Sequence, residues 1–293
     1  MADTHRKAVL ITGTSSGIGR ACVRRLSRAG TRVFAGVRRA ADADSLRCED
    51  PDVVPFLMDV TDAASIQAAA QFVGAELRGA GLDGLVNNAG TGLSAPMEYV
   101  PLEMLRHELE VNVIGQIAVT QAFLPAIRRA RGRIVNIGSV GARLAMPFGG
   151  VLCGGKSALA AMTDALRLEL HPFGIHVSLI EPAAIRTPAI DKTLGDVERT
   201  LRALPGEAEP RYGAMLREFN RLAFAREEAG TLPHVVARTV QRALTARRPR
   251  ARYPVGKNAR MLVAMPRLLP DRLLDWIRLR LFRMPNRFGA LRA

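Results

Sequence analysis

Short runs of apolar and β-branched residues recur along the chain at 8–12, 32–37, 53–58, 84–87, 133–137 and 175–180. Between them lie longer segments in which apolar residues return every three or four positions. The short runs have the length and composition of strands buried on both faces, and the longer segments those of amphipathic helices. Their alternation predicts an α/β fold, a doubly wound parallel sheet with helices on both faces. Helices are expected to start near Gly17, Thr61, Pro101 and Cys153, with Thr61-Asp62 and Pro101 as start signals. After Ile180 the rhythm changes to a proline-containing connection, a polar helical stretch over 191–228 and a further helix over about 232–246. An insertion so late in such a sheet falls above the carboxyl ends of the strands, where ligands bind, so a substrate cover is expected at about 188–230.

Composition agrees with one large core: 293 residues, 48% hydrophobic and 24% charged, with no internal repeat. A main domain over 1–260 and a basic extension over 261–293 are expected, the arginine-rich run 247–252 lying just before the boundary. Of the net charge of +15, residues 247–293 carry +11, from thirteen basic and two acidic side chains. Within this segment Leu273, Leu274, Ile277 and Leu281 share a helical face with arginines crowding the rest. A helix of that kind suits either peripheral contact with an anionic membrane or packing on the body or a second subunit, and the sequence leaves both open. No reader motif or interleaved aromatic surface accompanies the charge, so specific nucleic-acid recognition is not expected. Cys22, Cys48 and Cys153 are odd in number and lie far from any ligand-spaced partner, which argues against disulfides and a metal site and for a reducing, cytoplasmic setting. The N-terminal residues 1–7 lack the apolar stretch of a secretory signal, and the uncharged run 111–127 is too short and too polar to span a bilayer.

The chemistry begins at Thr12-Gly13-Thr14-Ser15-Ser16-Gly17-Ile18-Gly19, between a predicted strand and a predicted helix. Glycines there allow a tight turn and close approach of a pyrophosphate to the free N–H groups of the helix N-terminus. At the end of the second strand stands Arg38, with no Asp or Glu from Val33 to Ala41. An acidic residue there would bind the ribose 2′-hydroxyl of NAD, whereas an arginine pairs with a 2′-phosphate, so NADP(H) is expected over NAD(H).

Together with later motifs in the same order, this loop resembles the fingerprint of the short-chain dehydrogenase/reductase family, in the manner of retinol and hydroxysteroid dehydrogenases, over about residues 7–255. The resemblance implies a Rossmann-type fold and an oxidoreductase. It also implies a dinucleotide site made by Gly13, Ser15, Ser16, Gly17, Ile18 and Gly19, with Asp59 and Val60 at the adenine and Asn88, Ala89 and Gly90 beside its ribose. Lys156, Pro182, Ile185 and Thr187 are implied at the nicotinamide end, although Ala183 stands where that motif has glycine. A homo-oligomer formed through long central helices is expected on the same ground.

In the family a tyrosine moves the alcohol proton, a lysine four residues later binds the ribose and lowers the tyrosine's pKa, a serine holds the substrate oxygen and an asparagine supports a water-linked proton path. The resemblance places Ser139, Asn112 and Lys156 in three of those roles and Leu152 in the place of the tyrosine. Leucine cannot donate a proton, and Cys153 points about 100° away on a helix. Loss of a positioned general acid costs ~10² to 10⁴ in rate. Two functions are therefore open: an oxidoreductase with unusual or weak proton transfer, and a catalytically silent dinucleotide-binding pseudoenzyme. Leu93, Met97, Leu144 and Met146 are expected to face the substrate, which suits an apolar alcohol or carbonyl.

Overall fold

The computed structural model of the chain describes residues 6–290, apart from the side chain of Lys192. Most of the N-terminal stretch read above for a signal, residues 1–5, and the last three residues of the basic extension lie outside the described residues. Seven strands form one parallel sheet in the order β3-β2-β1-β4-β5-β6-β7, namely β1 Ala8–Ile11, β2 Arg32–Val37, β3 Val53–Leu57, β4 Gly84–Asn87, β5 Arg133–Ile137, β6 His176–Pro182 and β7 Arg252–Val255. The order reverses between β1 and β4, which opens a crevice above their carboxyl ends.

Helices cover both faces. On one, α1 (Gly17–Ser27) and α10 (Pro233–Thr245) pack together over a core that includes Val9, Ile11, Val86, Val135 and Val240. On the other, α3 (Ala63–Leu77) and α5 (Gly115–Ala130) enclose Leu10, Phe34, Leu85, Val119 and Ile134. Successive strand residues point to opposite faces, so Leu10 and Ile11 enter different cores and the strands read as unbroken apolar runs.

The helix expected near Thr61 starts at Ala63, where the Asp62 carboxylate accepts from the Ala64 N–H. The one expected at Cys153 starts three residues earlier, as α6 (Gly150–Leu170). The helix entered at Pro101 is interrupted: α4 (Leu102–Leu109) passes into a wide turn over Glu110–Ile114, and α5 continues from it. The polar stretch 191–228 is not one helix but three, α7 (Ala189–Leu194), α8 (Val197–Ala203) and α9 (Ala208–Glu228), broken at Gly195 and around Pro205-Gly206. Two elements were absent from the sequence reading, α2 (Ala40–Glu49) and β7, the latter extending the sheet past the arginine-rich run. Beyond it, α11 (Ala259–Leu268) and α12 (Asp271–Leu281) occupy the basic extension.

Candidate active site

The loop between β1 and α1 is shaped by its glycines. Gly13 and Gly17 have φ of 65° and 56°, and a Cβ on Gly19 would lie 2.3 Å from the Gly13 carbonyl oxygen. The β4 end closes against this loop: the Thr12 hydroxyl accepts from the Asn88 and Ala89 N–H groups at 2.9 and 2.8 Å, and the Asn88 amide donates to the Thr12 and Gly13 carbonyls. Thr187 meets it from the far side, since a Cβ on Gly17 would stand 3.2 Å from the Thr187 Cβ. The cap residue of α1, Ser16, makes no side-chain bond to the helix, and its first turn holds no acidic residue. Those N–H groups are thus presented to an anion. Ala183, in the place of a motif glycine, is not among the residues with positive φ and sits without backbone strain.

At the rim, Arg39 is engaged with Asp42 at 2.8 Å, whereas the exposed Arg38 makes no hydrogen bond or ion pair among the described residues. Its charge reaches Asp59. Burial raises the Asp59 pKa, but two hydrogen bonds from Thr61, together with the charges of Arg38 and His107, outweigh it and hold the carboxyl below its usual range. Val60 is buried next to it.

The remaining candidates gather where β4, β5 and α6 meet. Asn112 lies in the wide turn between α4 and α5, fully buried, and exchanges hydrogen bonds with the Thr91 backbone, donating at 2.9 Å and accepting at 3.2 Å. A Cβ on Gly90 would be 3.0 Å from the Asn112 Oδ1 and 3.8 Å from the Lys156 Nζ, so the two side chains flank the same backbone. Lys156 Nζ donates to the Ile137 carbonyl at 2.9 Å, two residues before Ser139. Ser139 Oγ accepts from the Gly141 N–H at 2.9 Å, and a Cβ on Gly141 would stand 3.2 Å from both the Ser139 Oγ and the Cys153 Sγ. The Ser139 loop is anchored by Arg143, which donates to the buried Glu181 carboxylate at 2.8 Å, as does Arg252 of β7 at 3.0 Å. Asn112, Ser139 and Lys156 are thereby brought together, and the half-buried Leu152 stands one turn before Lys156 on α6.

One residue here was absent from the sequence reading. Glu108, on α4 one turn before Asn112, is buried with both carboxyl oxygens unpartnered. Burial pushes its pKa up to about 8 against the attraction of Lys156, and burial pulls Lys156 down to about 8 against the attraction of Glu108. A lone acid in an amphipathic helix carries no local signal that would have marked it in the sequence.

Above the site lies a third apolar cluster, in which Phe148, Val151, Leu201, Leu216 and Phe219 are joined by Leu93 and Met146. Leu144 is buried outside that cluster, and Met97 is exposed with its thioether against Gly150. Phe148 enters α6 with φ of 56°, unusual for a bulky residue, and its ring meets Phe219 edge-on at 5.4 Å. The C-terminal helix completes this cover. Phe282 packs on Phe219 at 4.7 Å, Arg226 stacks on Phe282, Leu274 is buried and Arg278 donates to the Ala145 carbonyl at 3.0 Å. The extension therefore packs on the body through Leu274 and Phe282, while Leu268, Leu273, Trp276 and Leu281 remain exposed.

The family model for short chain dehydrogenase matches residues 7–197. Human retinol dehydrogenase 5 is 38% identical over 282 residues, covering 92% of this chain and 88% of its own. The 17-beta-hydroxysteroid dehydrogenase type 6 of Rattus norvegicus is 36% identical, covering 94% of this chain and 88% of its own. Among solved structures, a short-chain dehydrogenase from Streptomyces avermitilis superposes with a TM-score of 0.70 at 28% identity, covering 95% of this chain and 96% of its own. The closed form of a serine dehydrogenase complexed with NADP+ gives 0.71 at 25% identity, covering 85% of this chain and 94% of its own.

Proposed function

This chain belongs to the short-chain dehydrogenase family, oxidoreductases that act on CH–OH groups with a nicotinamide dinucleotide, and we propose that it uses NADP(H) on an apolar, lipid-like alcohol or ketone. The observation that carries this reading is a juxtaposition. The glycine loop is joined through Asn88, Ala89 and Gly90 to the buried Asn112 and Lys156 side chains, and the third, apolar cluster adjoins them through Phe148 and Val151. The names of the retinol and hydroxysteroid dehydrogenase relatives agree with a substrate of that polarity.

The residues present fit the dinucleotide. At Gly13, Gly17 and Gly19 a Cβ would crowd Ala89, Thr187 and the Gly13 carbonyl, so only glycine lets the loop turn this tightly, and Ser15, Ser16 and Ile18 complete it around the open first turn of α1. Arg38, without a hydrogen bond or ion pair among the described residues, would pair with a 2′-phosphate, with Asp59 and Val60 toward the adenine and Asn88, Ala89 and Gly90 toward its ribose. Lys156, Pro182, Ile185 and Thr187 would hold the other end. When bound, the dinucleotide supplies or accepts a hydride. Ser139 would bind the substrate oxygen, Asn112 would hold Thr91 and the water path in place, and the apolar cover would exclude bulk water.

Leu152, read as standing in the place of the family's tyrosine, favours a second reading in which the chain binds dinucleotide without turnover. NADPH binding followed by reduction of an apolar ketone, abolished by Ser139→Ala, supports the enzyme. Tight NADPH binding with no turnover across a broad panel supports the silent protein, and absence of any dinucleotide binding refutes both.

The proposal extends to the surroundings. Ile114, Met162 and Leu168 are exposed on the central helical segment and suit a homo-oligomer, checked by light scattering. The exposed Leu268, Trp276 and Phe288, interspersed with Arg267, Arg272, Arg280 and Arg287, suit a cytoplasmic protein that touches an anionic membrane peripherally. Sedimentation with anionic vesicles that is unchanged by deleting residues 261–293 removes that contact. No helix among the described residues is long and apolar enough to cross a membrane, and none of their His, Cys, Asp and Glu side chains form a group that could hold a metal.

A further inference from the structure

Glu108 is 2% exposed, yet neither of its carboxyl oxygens has a hydrogen-bond partner among the described residues. An ionised carboxylate in that state is among the costliest groups a fold can bury, so the position favours the neutral acid. The ionisable groups that face it come from α6: Lys156, whose charge acts on it, and Cys153, whose thiol feels the Glu108 charge in turn. The charged neighbours on α4 itself, Glu103, Arg106 and His107, are exposed. Leu152 directly precedes Cys153 and stands one helical turn before Lys156. A Cβ on Gly155 would stand 3.7 Å from the Leu109 Cδ2 and the Asn112 Cβ, so the end of α4 that carries Glu108 meets α6 next to Lys156, one turn from the position to which the family resemblance assigns a tyrosine.

We propose that Glu108 feeds protons to Lys156, and that this acid–amine pair carries out the proton transfer for which Leu152 has no group. The proposal rests on reading the site as that of an NADP(H)-dependent carbonyl reductase. As the carbonyl carbon takes up the hydride of the reduced dinucleotide, the electron pair of the C=O π bond moves to oxygen, which bonds to an N–H hydrogen of Lys156. Glu108 and Lys156 share no hydrogen bond or ion pair among the described residues, so the Lys156 nitrogen recovers its proton from the Glu108 O–H through one bridging water, and the carboxylate so formed is reprotonated from solvent when the alcohol leaves. Carbonyl, reduced dinucleotide and one proton thus become alcohol and oxidised dinucleotide. Burial brings the two groups together in acidity, each to about 8, close to where proton donors work best near neutral pH. Glu108 is in this sense a positioning and recharging residue, acting through Lys156.

The test uses the full chain and Glu108→Gln, alone and combined with Leu152→Tyr. Infrared spectra of the dinucleotide-free protein at neutral pH should show a protonated-carboxyl C=O band that the Glu108→Gln variant lacks and that fades as the pH passes about 8. NADPH affinity should be unchanged in the variant, while kcat for an apolar ketone falls ~10²-fold. In the Leu152→Tyr background the same substitution should cost no more than about threefold, because the tyrosine supplies the proton. Absence of the band, an equal cost in both backgrounds, or a wild-type chain that binds NADPH and reduces no carbonyl overturns the relay. Failure of NADPH to bind overturns the proposed function as well.

Discussion

Replacing Glu108 by glutamine keeps its size and removes its titration. The carboxyl would titrate near 4.5 in an unfolded chain, and burial in this fold raises it to about 8 against the pull of Lys156. A group raised in this way contributes stability that is complete below the unfolded value and is lost as the pH climbs to the folded one, so the Glu108 window runs from 4.5 to about 8. Lys156 acts in the opposite sense and in a different window. Burial holds it down from 10.5 to about 8, so its contribution is complete above 10.5 and is lost as the pH falls to about 8. Below about pH 8, Glu108 is therefore the member of the pair that makes stability depend on pH. At about 1.4 kcal/mol for each pH unit, its whole window corresponds to ~5 kcal/mol, and the part between about pH 5.5 and about pH 7.5 to ~3 kcal/mol. Urea unfolding of both proteins across that interval should show Glu108→Gln gaining ~3 kcal/mol on the wild type. Any cost of the buried amide itself is constant with pH and leaves the slope untouched. A gap that stays flat would show that water reaches the carboxyl and that it ionises normally, which would refute its description as a neutral buried acid.

Other substitutions probe separate links. Arg38→Ala should weaken NADPH about 10- to 100-fold and leave NADH within a fewfold, the size of one charge-assisted pair, as read by fluorescence titration of both dinucleotides. Leu152→Tyr should raise kcat for an apolar ketone by ~10² to 10⁴ with little change in NADPH affinity, as measured by steady-state kinetics. Gly19→Ala puts a Cβ 2.3 Å from the Gly13 carbonyl oxygen and 2.6 Å from the Asn88 amide nitrogen, and should abolish NADPH binding and lower Tm, as followed by thermal shift with and without NADPH. Phe282→Ala should cost about 3 to 5 kcal/mol of the docking of α12, seen as faster proteolysis C-terminal to β7 and a raised KM for ketone without a change in NADPH affinity.

The sheet was legible because its strands are buried on both faces, which leaves unbroken apolar runs such as Ala8–Ile11. β7 escaped for the converse reason. It is an edge strand with Arg252 and Pro254 in four residues, and only an edge tolerates a proline there. In α2 only Ala43 and Leu46 are buried, too few to make a helical stripe stand out. The glycine loop and the Asn112, Ser139 and Lys156 set were legible because each is a local pattern of unusual residues. Glu108 was not, since a single acid in an amphipathic helix reads as solvated surface. Its meaning arises only when α6 folds against α4 and shields it from bulk solvent. The role of the C-terminal helix was likewise hidden, because its apolar face suits a membrane or a protein surface equally well in sequence.

The docking of Phe282 on Phe219 sets an order of events at the ribosome. The glycine loop, Arg38 and the first six strands emerge while α12 is still inside the exit tunnel, and domains form from the N-terminal side during synthesis. The crevice for the dinucleotide can thus take shape before the apolar cover has its last wall.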